Sequence, residues 1–155
     1  MLKLAWYLIT DRDYWTDAEV SLPAPVRELT GALHRLFNDE APFTPAQTAA
    51  AADIMLQMAG YLCDAVRHGA ATVPDRAASA RLLHAINLLL AYQAQAVDRL
   101  ADQVATGTGA DLSPLPPDEQ ATLATTLAAA TSRLEDAADL IKQAHLSTRS
   151  PLGSQ

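Results

Sequence analysis

Four histidines, His34, His68, His84 and His145, are the side chains best suited to acid–base work or metal ligation in this chain. Their spacing argues against a metal held on one helix. No His-x-x-x-His or Glu-x-x-His occurs, so the paired motif of a di-iron bundle is absent. His68 follows Asp64 by four residues, which suits a cation in the last turn of a helix. His84 stands out because it lies in the most apolar stretch, Leu82–Leu90, with Asn87 one helical turn on. Polar groups buried in such surroundings need partners.

The partners follow from topology. If the regions on either side of the turn between Ala105 and Pro117 are antiparallel helices, residue numbers of paired positions total about 222. His84 is then level with residue 138 and Asn87 with residue 135, and Glu135 and Asp139 flank the shared seam. A cluster of His84, Asn87, Glu135 and Asp139 between helices has the chemistry to bind a small molecule or a divalent ion, or to move a proton. The plainer account is a satisfied buried histidine in a polar seam that fixes helix register. No cofactor motif is present and no resident metal is expected.

Aromatic residues are concentrated near the start. Trp6, Tyr7, Tyr14 and Trp15 are candidates for a lid on the fold or for a contact surface, since Trp and Tyr often anchor interfaces. Leu88 joins them as an interface candidate because it falls off the main apolar stripe of its helix.

The elements that must position these residues are helical. Ala supplies 32 residues and Leu 23, against six Val and four Ile, a balance that favours helix over strand. One helix is expected after Pro23 and Pro25, carried by Val26, Leu29, Leu33, Leu36 and Phe37. A second opens at Thr44-Pro45-Ala46-Gln47, a cap, an early proline and a capping-box partner, and stops at His68-Gly69. Its seam reads Ala51, Met55, Met58, Leu62, Ala65. A third begins near Thr72-Val73-Pro74-Asp75 and ends before Gly107, its apolar positions being Leu82, Leu83, Ile86, Leu89, Leu90, Ala96, Val97, Leu100 and Val104. A fourth follows Pro116-Pro117, with Asp118 and Glu119 complementing the dipole of its first turn. Its seam is Leu123, Leu127, Ala130, Leu134, Ala137, Ile141 and Ala144. Residues 1–15 read as a short helix, because an isolated strand would have no sheet partner. The expected architecture is all-α: an up-down antiparallel bundle of three long helices plus a shorter N-terminal helix and an aromatic N-terminal segment. Residues 1–146 form one domain, and 147–155 a flexible tail.

Composition narrows the function classes. The net charge of −7, with two lysines and nine scattered arginines, argues against nucleic acid and against anionic membranes. Residues 1–9 are too short an apolar run for a leader, and no stretch reaches the roughly 18 apolar residues of a membrane helix. The single Cys63 excludes an intrachain disulfide and reads as a small buried apolar residue in a cytoplasmic protein. The apolar surface exceeds one face per helix. The expectation is therefore a non-enzymatic interaction or regulatory protein with a homodimer or another protein as partner. A small-molecule or metal site, with catalysis at it, is the alternative.

Overall fold

The computed structural model describes residues 5–9, 23–37, 43–69, 73, 75–108 and 115–149. These residues are helical apart from the N-terminal segment and the connections, and no strand occurs among them. The helices are α1 (Ala24–Leu36), α2 (Pro45–Val66), α3 (Arg76–Thr106) and α4 (Pro117–Arg149). They fall into two compact units: residues 5–9 with α3 and α4, and α1 with α2.

Local chemistry explains the helix ends. At the start of α2 the Thr44 Oγ1 accepts from the Gln47 amide at 3.2 Å and donates to Gln47 Oε1 at 3.0 Å, so the cap and its partner satisfy each other. Gly69, just past the end of α2, has φ +56°. Gly107, just past α3, has φ +64°. There the Thr108 amide returns to the Gln103 carbonyl at 3.2 Å and the Gly107 amide to the Val104 carbonyl at 3.3 Å. This double return closes the helix through a left-handed residue, which glycine adopts without steric cost. Helix α4 starts at Pro117 with Asp118 and Glu119 in its first turn and continues through Arg149, into the stretch expected as tail.

Within the first unit, α3 and α4 are an antiparallel pair. Arg76 Nη2 reaches the Ser147 carbonyl at 3.5 Å and its Nε the Thr148 carbonyl, while Gln120 donates to the Val104 carbonyl at the other end. Between them His145 meets Ala80 and Asn87 meets Ala138. In the Arg76–Thr148, Val104–Gln120, Ala80–His145 and Asn87–Ala138 pairs the residue numbers total 224 or 225. The sequence estimate of the register is thus close, and short by about three residues.

The seam itself lies on a different face from the one expected. The buried positions of α3 are Ala80, His84, Asn87, Ala91, Ala94, Ala101 and Val104. The leucine face (Leu82, Leu83, Ile86, Leu88, Leu89, Leu90) is half-buried. On α4 the buried positions are Thr131, Ala138 and His145, each seven residues from the next, while Ala130 and Ala144 are exposed. Leu127, Leu134 and Ile141 belong to both the expected and the observed ridge and are half-buried. Small side chains prevail in the seam because they let two helix backbones approach closely, and bulky residues are pushed to its flanks.

The N-terminal residues also depart from the expected helix. Among residues 5–9 the chain makes a single turn, with the Leu8 amide on the Ala5 carbonyl at 3.1 Å. Tyr7, Leu8 and Ile9 are buried, and Tyr7 and Leu8 pack with Ala91 and Ala138, flanked by Ala5, Leu88 and Leu90. Cys63, expected to be buried, is exposed on α2, and neither α1 nor α2 has a buried residue.

Ala138 has no accessible surface. Ala138→Leu adds three carbons where the backbones meet, and is expected to destabilise the chain by about 3 kcal/mol in denaturant unfolding. The same change at exposed Ala130 is expected to cost under about 0.5 kcal/mol.

Candidate functional site

The seam of α3 and α4 brings together part of the cluster expected from the sequence. His84 and Asn87 are both buried in it, one turn apart. Asn87 is fully enclosed and its carboxamide is engaged on three sides. Oδ1 accepts from the Ile9 amide at 3.0 Å, and Nδ2 donates to the Tyr7 and Ala138 carbonyls, each at 2.8 Å. The Asn87 side chain thus satisfies a backbone acceptor and a backbone donor two residues apart on the N-terminal segment. Lys142, from α4, adds a bond from Nζ to the Trp6 carbonyl.

The two carboxylates are placed differently. With Ala138 opposite Asn87, Glu135 lies nearly a turn away along α4, where with Gln95 it holds the Tyr7 hydroxyl. Asp139 is half-buried, next to Ala138 on α4. The ring facing His84 belongs instead to His145, at 5.8 Å between centroids with the planes at 80°. His145 is wholly buried, and its Nδ1 lies 3.0 Å from the Ala80 carbonyl. A carbonyl only accepts, so Nδ1 carries the proton.

Burial and these neighbours set the electrostatics. Burial lowers the His84 pKa below its ordinary range, and the charge of a protonated His145 lowers it further. Tyr7 is pushed up, first by burial, against the hydrogen bond from Gln95, and then by the negative charges of Glu135 and Asp98 and the hydrogen bond its hydroxyl donates to Glu135.

Among the interface candidates, Trp6 is 61% exposed and stacks edge-on against Tyr7 at 5.6 Å, whereas Tyr7 is buried and Leu88 half-buried against the same cluster. Tyr14 and Trp15 lie outside the described residues. Asp64 pairs with Arg67 at 3.3 Å on an exposed surface, not with His68, and such a pair contributes little stability. Among the described residues, no three His, Cys, Asp or Glu side chains converge to hold a metal. No described helix is long and apolar enough to cross a membrane.

His145 joins His84 in the seam although the expected cluster does not include it. Its signal was the seven-residue step from Thr131 through Ala138, and on α3 the 4-3-4-3 step through Ala80, His84, Asn87, Ala91 and Ala94. Against family models, curated proteins and solved structures the chain shows no match.

Two outcomes follow from the carboxamide and the phenol. Asn87→Leu strands the buried Ile9 amide and Tyr7 carbonyl, and is expected to lower unfolding free energy by about 3 kcal/mol in chemical denaturation. Tyr7 favours its neutral form in the fold, so its contribution is complete below the unfolded pKa of 10.0 and is lost as pH rises beyond it. Thermal melts of Tyr7→Phe are expected to show a shallower loss of stability above pH 10 than the parent.

Proposed function

We propose that this chain is a non-enzymatic interaction or regulatory protein of the cytoplasm that works through protein contacts and associates with a second copy of itself. The observation that supports this is the apolar surface of α1 and α2. Neither helix has a buried residue, and Leu29, Leu36, Leu56, Tyr61 and Val66 are each half exposed or more. A helix of 22 residues gains most of its stability from packing an apolar face, and α2 leaves its apolar side chains without burial. Self-association would bring the α2 ridge of Ala51, Met55, Met58, Leu62 and Ala65 against apolar neighbours, within the up-down bundle of three long helices that the spacings imply. Trp6, Tyr14, Trp15 and Leu88 are the further residues proposed for the contact surface. A ligand or metal site on His84, Asn87, Glu135 and Asp139 has less behind it, because Asn87 spends its amide on three backbone groups.

Sedimentation velocity of the full chain at micromolar concentration is expected to give a dimer. Each tenfold rise in concentration is expected to add about 1.4 kcal/mol per dimer to its unfolding free energy. A single monomeric species across that range, with a concentration-independent melt, removes the proposal.

A further inference from the structure

Two histidines meet inside the α3–α4 seam, and neither serves the self-association proposed above. His84 is 4% exposed and His145 is fully enclosed, and their rings meet edge to face at 5.8 Å. An imidazolium there must shed its hydration, and two of them less than 6 Å apart would repel strongly. One turn along α3 from His84, on the same buried ridge, Asn87 holds the Tyr7 carbonyl and the Ile9 amide to the Ala138 backbone of α4. A charge forced into this ridge therefore acts on the contact that keeps residues 5–9 in place.

The surrounding charged groups come from all three packed elements. On α3, Arg81 precedes His84 by one turn, and Arg76 is directed to the carbonyls of Ser147 and Thr148. On α4, Lys142 is directed to the Trp6 carbonyl, and Asp139 is the carboxylate nearest this level. On the N-terminal segment, the Tyr7 hydroxyl accepts from Gln95, about three turns along α3 from His84, and donates to Glu135 of α4. Of the neighbouring charges, that of His145 is the one that lowers the His84 pKa, after burial.

We propose that the His84–His145 pair makes this seam an acid-sensitive latch, in which uptake of a proton parts α3 from α4 and releases residues 5–9 from Asn87. The sign follows from burial. His84 binds a proton less readily in the closed seam than when exposed, so the open form binds more protons as pH falls. Closure is complete above about pH 6.5, the ordinary histidine value. It weakens as pH drops below that, by up to tenfold in the opening equilibrium per pH unit for each proton taken up.

Amide hydrogen exchange of Ile9 in the full chain, corrected for the intrinsic rate, reads this opening directly, since that amide donates to Asn87. Its protection is expected to hold between pH 7.5 and 6.5 and then to fall by up to tenfold per unit toward pH 5. In His84→Gln, which takes up no proton, the protection is expected to stay flat, and in Asp139→Asn the slope is expected to persist. Constant protection in the parent, an unchanged slope in His84→Gln, or a slope abolished by Asp139→Asn each overturns the latch. If His84→Gln does not fold, the C2 proton shift of His84 in the parent decides by NMR. A midpoint below 6.5 supports the latch, and one at 6.5 or above overturns it.

Discussion

The first unit depends on a single carboxamide. Asn87 has no access to solvent, yet it carries two donors and an acceptor that water would otherwise satisfy. It meets that demand with three backbone groups from two separate parts of the chain. The demand runs the other way too. The Tyr7 carbonyl and the Ile9 amide lie under apolar cover and have no neighbouring strand among the described residues. Each side is costly to bury alone, and together they are satisfied. A leucine at 87 would fill the space but leave the backbone unmet, so shape alone does not specify this position.

The alanines make that reach feasible. An asparagine side chain is short, and Nδ2 touches the carbonyl of a facing helix at 2.8 Å only if the two backbones are close. Ala80, Ala91, Ala94 and Ala138, each at 1% exposure or less, allow that approach. Alanine has no side-chain rotamers to lose, so the contact forms at little entropic cost, but it also specifies little by shape. The polar residues supply what alanine lacks. His84, Asn87, Thr131 and His145 are spaced along the two ridges, and a slip of one turn would leave Asn87 and the His145 Nδ1 without the carbonyls they now meet.

Much of this architecture was legible in the residues, for identifiable reasons. Caps and breakers act locally, so Thr44, Gln47, Gly69 and Gly107 mark their helix ends correctly. The antiparallel pairing of α3 and α4 follows from the short connection between them. The face was harder to read. Leucine weighs more than alanine in any apolar count, so the stripe was placed on Leu82, Leu83, Ile86 and Leu89, whereas closeness of approach selected the alanine side of the same helix. The register error of three residues then paired Asn87 with Glu135 in place of Ala138. Residues 1–15 read as a short helix because a lone strand lacks a sheet. Nothing in the local pattern says that a side-chain amide 78 residues away would serve as its neighbour. His84 and Asn87 were singled out by polarity in an apolar stretch, a signal His145 lacks in its more polar surroundings.

The order in which the chain leaves the ribosome gives the Asn87 contact a further meaning. Residues 5–9 emerge long before Asn87, and longer still before Ala138 and Lys142, which complete their resting place. Until α4 is made, Tyr7, Leu8 and Ile9 lack the Ala138 side of their pocket, and α1 and α2 are synthesised in the interval. Closing so long a loop is slow compared with zipping a hairpin of neighbouring helices. The docking of residues 5–9 therefore waits on a long loop closure, after the α3–α4 hairpin that receives them.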